Sequence, residues 1–244
     1  GCPRGPGERA TCAIRGLGGS VLHSLDASPE AVWRNEFSAD QQGPVGAGLE
    51  TVDHIAQTMS YEEMLSWSLF YASLLDMQKS AMVDVIDPDG LVRSQALEAN
   101  GSQFAFTLNG AETHRTLAGS YLAESFGAPV QHLALSTRDI FATASALARL
   151  GFEALPIARN YYGDLASRFE IRPGELAAME AAHIPYDRDD KGEFFQLYSR
   201  PFAGGMFFEI IERRGGYAGY GGPNAPFRIA AQKRLMQPKG MPRR

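Results

Sequence analysis

Three short stretches of this 244-residue chain place a metal-ligating side chain among neighbours that favour burial. In Phe207-Phe208-Glu209-Ile210-Ile211 it is a carboxylate; in Val52-Asp53-His54-Ile55-Ala56 and Val130-Gln131-His132-Leu133-Ala134-Leu135 it is an imidazole. All three runs read as strands. An ionised carboxylate withdrawn from water costs roughly several kcal/mol unless it is paired, so Glu209 requires an arginine, a shared proton or a metal. Singly, each residue has an ordinary reading: the histidines as half-buried rings bonded to backbone carbonyls, Glu209 as the partner of Arg213 or Arg214. Together, two histidines and one carboxylate are the set that suits Fe(II) on one face of an octahedron, with positions left for substrate and oxygen. His54, His132 and Glu209 are therefore the expected ligands and catalytic centre, although the same set accepts Mg(II), Mn(II) or Co(II).

These residues need elements to carry them. Residues 51–58 form a strand bearing His54, and Ser60 with Glu63 reads as a capping box opening a helix. That helix has Met64, Leu65, Leu69, Tyr71 and Leu74 at helical spacing, an apolar stripe expected to cover a sheet. Strands follow near 83–87, 91–98 and 103–109, separated by Asp87-Pro88-Asp89-Gly90 and by Asn100-Gly101. A second unit opens with a strand at 129–136 bearing His132, then a helix from Thr137 to the stop at Gly151. A strand at 152–158, two short helices (NYYGDLASRF, GELAAMEAAHI) and strands at 192–198 and 206–212 complete it. The units, about 51–110 and 129–212, repeat one βαβββ plan, an internal duplication. Two such sheets would curl into an open barrel with first- and last-strand residues in a common cavity. Residues 1–12 read as a linker or tail and 13–50 as a connecting strand and loop, with a bulged strand at 13–25 and a loop at 38–48. A glycine-rich loop and helix at 215–235 suit a lid. His23, His114 and His183 receive no role, and Arg213-Arg214 reads as a solvated strand end.

Composition narrows the function classes. A 44% hydrophobic chain can bury a sizeable core, and a net charge of -5 gives no basic field for nucleic acid. No apolar run approaches the ~20 residues that cross a bilayer, and GCPRGPGERA lacks the apolar core of a signal peptide. A cytoplasmic protein with no membrane or nucleic-acid partner is expected, as a homo-oligomer. Cys2 and Cys12 make neither a disulfide framework nor a metal cluster. The opening Gly and the Pro/Gly/Arg stretch suggest a processed product or the back part of a longer polypeptide.

The motifs VDHIAQTM, VQHLALST, FFEIIER and GYAGYG with NAP, together with RGLGGS at 15–20, resemble the catalytic half of the 4-hydroxyphenylpyruvate dioxygenases, members of the vicinal oxygen chelate superfamily. The likeness runs from about residue 13 to 235. It implies an α+β fold of two βαβββ units around a metal site. It implies Fe(II) held by His54, His132 and Glu209, with a 2-oxo acid and dioxygen as reactants in an oxidative decarboxylation that leads to attack on the aromatic ring. It further implies substrate contacts from Ser94, Asn109, Gln131, Gln196 and Phe227. Two departures stand out: the family's further glutamine has no counterpart in residues 110–130, and Ala231 replaces a second lid phenylalanine. NYYGDLASRF and IPYDRDDKGEFF are more similar to the dioxygenase-like C-terminal part of bacterial fusion proteins. Those carry a sugar-phosphate-isomerase-like barrel with 3-dehydroshikimate dehydratase activity in front. Three readings stay open: an aryl-2-oxo acid dioxygenase domain, a metal-binding accessory domain of such a dehydratase without oxygenase turnover, or a divalent-metal lyase or isomerase on the same scaffold.

Overall fold

The computed structural model describes residues 12–24, 34, 37–38, 46–101, 104–125 and 127–236. Contacts divide the chain into two compact units, Gly1–Gly46 and Ala47–Arg244. In the first, β1 (Cys12–Arg15) pairs antiparallel with β2 (Val21–Ser24). A hairpin thus replaces the single bulged strand expected over 13–25, because Gly18 (φ 58) and Gly19 (φ 84) let the chain reverse where other residues would be strained. The expected tail, apart from an exposed Cys12 thiol, and most of the loop at 38–48 lie outside the described residues.

The second unit runs β3 (Leu49–Ser60), α1 (Tyr61–Leu75), β4 (Met77–Lys79), β5 (Val83–Asp87), β6 (Gly90–Ala99), β7 (Ala105–Ala111) and α2 (Leu117–Glu124). It continues with β8 (Val130–Thr137), α3 (Ile140–Arg149), α4 (Arg159–Arg168), α5 (Pro173–Ala182), β9 (Tyr186–Arg188), β10 (Gly192–Tyr198), β11 (Phe207–Gly215) and α6 (Ala225–Met236). One mixed sheet has the order β4-β6-β7-β3-β8-β11-β10-β9, with β5 on β6. Its halves correspond. β3 is parallel to β7 as β8 is parallel to β11, and the halves meet through antiparallel β3 and β8. The duplication read from the sequence is thus visible as an approximate two-fold arrangement about the β3–β8 junction.

Local departures have local causes. The strand expected at 152–158 shrinks to one bridge, Ala154 with Ser199, because Pro156 has no N–H to donate to a ladder. The helices and strands α2, β4 and β9 are too short for a clear period. Asp139 rather than Thr137 starts α3, its carboxylate accepting the Ala142 N–H. Ser60 donates to the Glu63 carboxylate at 2.9 Å and caps no backbone N–H of α1. On α1 the buried face is Met64, Ser68 and Tyr71, whereas Leu65 is 67% and Leu69 50% exposed and Leu74 is also exposed. One step along a helix turns the side chain by about 100°, so Leu65 and Leu69 leave the face that Met64 and Ser68 occupy. Tyr71 stacks on Phe106 with ring centres 4.8 Å apart, and its hydroxyl donates to Gln57.

The larger core lies under the second half of the sheet, where α3, α4 and α5 pack. Tyr161, Tyr162, Leu165, Met179, Tyr186 and Phe195 are fully buried there. Each large apolar side chain withdrawn from water contributes about 1.5–3 kcal/mol. That packing fixes β10 and β11, and with them Glu209.

Candidate metal centre

The strand registers bring the three residues together. His54 on β3 lies opposite Ala134 on β8, and Ala134 lies opposite Glu209 on β11, so the three occupy one rung across the sheet. His132 stands two residues from Ala134 on the same strand and therefore shares its face. The rung places an alanine between the imidazole and the carboxylate, leaving space above it. His54 Nε2 and His132 Nε2 are 3.3 Å apart, and Glu209 Oε2 lies 3.5 and 3.3 Å from them. All three residues are buried. Two imidazole nitrogens and a carboxylate oxygen thus turn their lone pairs towards one point. A triangle of this size accommodates an ion about 2 Å from each corner, an ordinary metal–ligand distance. The donor set fits a divalent metal. His23, His114 and His183 take no part in the cluster.

A second layer of residues orients the donors. His54 Nδ1 lies 2.8 Å from Asp53 Oδ1, so the ring donates there and keeps Nε2 for the cluster. Arg213 in turn donates to both Asp53 oxygens, at 3.1 and 3.0 Å, and to the carbonyls of Tyr217 and Gly219. It is therefore no solvated strand end, and it pairs with Asp53 rather than Glu209. Burial alone would lower the His54 pKa, but hydrogen bonds to Asp53 and Glu209 raise it to about 8. Asp53 resists the opposing effect of burial through its bonds to His54 and Arg213 and titrates below the usual carboxylate range. Burial, and then the neighbouring charges of His54 and Arg228, hold His132 well below the ordinary imidazole value. Its ring stacks on Phe207 at 4.7 Å.

Glu209 is held by a chain of side chains. Gln196 donates to Oε1 at 2.7 Å, and Asn224 donates to the Gln196 carbonyl at 2.7 Å. The Asn224 carbonyl accepts from Tyr161 at 2.9 Å. Gly221 (φ +62) makes room for this chain, since a Cβ there would stand 2.3 Å from the Gln196 amide.

The cluster opens into a cavity of about 300 Å³, the lower end of the range for small-molecule sites. Ser94, Asn109, Gln131 and Gln196 line it. Both ends of the Gln196 carboxamide, however, are engaged by Glu209 and Asn224. Phe227 does not line it. It packs on Tyr161 with ring centres 4.8 Å apart, and Ala231 sits in the same core. On α6 it is Ala225, Arg228 and Ile229 that face the cavity, so Phe227, expected to reach the cavity, points into the Tyr161 core instead. Sequence reasoning also missed Asp53, Arg213, Asn224, Tyr161 and Tyr220, whose ring edge meets His54 at 5.2 Å. Only the glycine-rich GYAGYGG segment signalled such a close approach.

Comparison with known proteins agrees with this architecture. The family model described as Glyoxalase/Bleomycin resistance protein/Dioxygenase superfamily matches residues 51–196. A 3-dehydroshikimate dehydratase of Pseudomonas aeruginosa is 38% identical over 230 residues, covering 93% of this chain and 36% of the relative. A 4-hydroxyphenylpyruvate dioxygenase of Legionella pneumophila is 30% identical over 208 residues, 83% of this chain and 59% of the relative. A solved xylose isomerase-like TIM barrel/4-hydroxyphenylpyruvate dioxygenase fusion protein has a TM-score of 0.77 at 34% identity, covering 92% of this chain and 36% of that one. The chain thus spans about a third of the length of the dehydratase relative. Both proteins invoked by the sequence resemblance are among the relatives, and the vicinal oxygen chelate fold is the one observed. With more than half of its length matched by that family model, the chain belongs to the Glyoxalase/Bleomycin resistance protein/Dioxygenase superfamily.

Proposed function

We propose that this chain is a non-haem Fe(II)-dependent 2-oxo acid dioxygenase domain, with His54, His132 and Glu209 as metal ligands and an aryl-2-oxo acid as substrate class. The convergence of two imidazole nitrogens and one carboxylate oxygen at 3.3–3.5 Å carries the reading, since this facial set characterises Fe(II) oxygenases. The relative named 4-hydroxyphenylpyruvate dioxygenase supports it. Bound Fe(II) would gather the 2-oxo acid and dioxygen and supply the redox chemistry. The chain's own residues do the rest. Asp53 holds His54 in the tautomer that leaves Nε2 free, and Gln196 fixes the rotamer of Glu209. Tyr220 and the segment at Ala218–Gly222 close over His54, and Ser94, Asn109 and Gln131 offer hydrogen bonds to the substrate.

A second reading has its own support. The 38%-identical relative is named a dehydratase and is nearly three times as long as the matched region, so the domain would be an accessory C-terminal part of such a fusion, binding metal without oxygenase turnover. Oxygen uptake separates the two. Fe(II)-loaded protein is given 4-hydroxyphenylpyruvate and related aryl-2-oxo acids, beside a His132→Ala control. Uptake coupled to carbon dioxide release and absent in the control supports the dioxygenase; bound metal with no uptake for any acid favours the accessory domain.

A further inference from the structure

We propose that Arg228 receives a second anionic group on the cavity's ligand, so that the substrate is a 2-oxo acid carrying an additional carboxylate. The inference rests on the 2-oxo acid reading above and specifies its substrate class. Arg228 lies on the cavity face of α6, half-buried, with its Cζ 4.9 Å from the Phe207 ring centre and 5.9 Å from that of Tyr198. It donates to Gln232 at 2.7 Å and shares a hydrogen bond with Tyr198. These two partners are neutral and use only part of a guanidinium's donors.

The other partly buried cations nearby are paired. Arg213 grips Asp53, Arg214 holds Glu212, and Lys233 holds Asp87 and Asp89. Among the described residues no carboxylate comes within ion-pair distance of Arg228. The carboxylates whose charges reach it are occupied: Asp87 by Lys233 and the Leu117 N–H, Glu209 by Gln196 and the imidazoles. Burial accordingly pushes the guanidinium below its ordinary value. A cation withdrawn from water without a counter-charge is costly, and an incoming carboxylate offsets that cost through paired N–H donors.

The position also bounds the ligand. Arg228 Cζ and the His132 ring centre both pack on the Phe207 ring, 4.9 and 4.7 Å from its centre, so the guanidinium lies no more than about 10 Å from the His132 ring. A 2-oxo acid group at the cluster and a carboxylate a few bonds further on span that interval. Val83, Val85, Val92 and Leu117 would suffice for an uncharged ring and give no reason for an arginine. The Thr107 hydroxyl is buried without a partner and lines the same cavity, ready for an oxygen of the ligand.

The test uses matched pairs of ligands: 2-oxoglutarate against 2-oxopentanoate, and 4-carboxyphenylpyruvate against phenylpyruvate. Each is titrated by calorimetry into the Co(II)-loaded chain without oxygen. At least one dicarboxylate is expected to bind about tenfold more tightly than its partner. The advantage falls to within about twofold in Arg228→Gln and is reduced but present in Arg228→Lys, which keeps the charge and loses the fork. Cobalt content and thermal unfolding report whether the variants fold. Should Arg228→Gln not fold, the Lys variant decides: an undiminished advantage overturns the proposal. So does the absence of any advantage in the unaltered chain, an advantage that survives Arg228→Gln, or an equal loss for both members of each pair. The last would assign Arg228 to the carboxylate they share. Failed oxygen uptake with the calorimetric advantage intact removes only the dioxygenase reading; the reverse removes only this inference.

Discussion

Asp53 and Arg213, 160 residues apart in the chain, form a two-point ion pair at 3.0 and 3.1 Å directly behind the His54 ring. The same guanidinium donates to the carbonyls of Tyr217 and Gly219, so His54 and the glycine-rich loop share one anchor. Asp53→Asn removes the charge while leaving an oxygen to accept the His54 N–H. It should weaken divalent-metal affinity about tenfold or more, read by competition with a chelator. Arg213→Met leaves a buried carboxylate unpaired and should cost about 3 kcal/mol of stability, read by urea unfolding.

Ala134 should tolerate nothing larger. It is fully buried in the rung between His54 and Glu209, with the convergent donors above it. Ala134→Leu should cost about 1–3 kcal/mol through overpacking and abolish metal binding. Ala134→Gly should retain most of the binding, as metal content after dialysis would show.

Gln196 should matter to Glu209 more than to the substrate. Gln196→Leu strips Glu209 Oε1 and the Asn224 amide of buried partners, which costs about 1–3 kcal/mol for each unsatisfied group. Gly221→Ala should reproduce part of the effect by crowding the Gln196 amide. The check is a lowered urea midpoint with an accompanying loss of metal affinity; unaffected affinity in both variants would mean the Glu209 rotamer is set elsewhere.

The grouping of His54, His132 and Glu209 is legible because each sits in a run of five or six residues whose pattern names its strand. The partner of Asp53 is not, because charge pairing between β3 and β11 depends on a sheet order that places β8 between them. Arg213 and Arg214 look alike in sequence, yet one faces Asp53 and the other Glu212. On α6 the error was one of phase. Phe227 and Arg228 are adjacent in sequence, and a turn of about 100° sends the first into the Tyr161 core and the second to the cavity. The same phase shift exposed Leu65 and Leu69 on α1.

The terminal helix should stay fastened across the neutral range. Lys233 bonds both Asp87 and Asp89. Burial opposes ionisation of Asp87, but its bonds to Lys233 and to two backbone N–H groups lower its pKa from 3.8. Burial likewise opposes the charge on Lys233, whose carboxylate partners raise its pKa from 10.5. A depressed acid contributes its full stabilisation above its unfolded value and loses it as pH falls through the lowered one. A raised base contributes below its unfolded value and loses it as pH rises through the raised one. Protection of the α6 amides from hydrogen exchange, corrected for intrinsic rates, should therefore be flat from about pH 5 to 9 and fall only in stronger acid or base. Asp87→Asn should lower it several-fold at neutral pH.

The most direct test is a Co(II) titration of metal-free protein followed by visible absorption, with His54→Ala, His132→Ala and Glu209→Ala in parallel. The account predicts one cobalt per chain, a weak band typical of five or six ligands, and loss of the signal in each variant. No binding by the unaltered chain, or undiminished binding by all three variants, would contradict it.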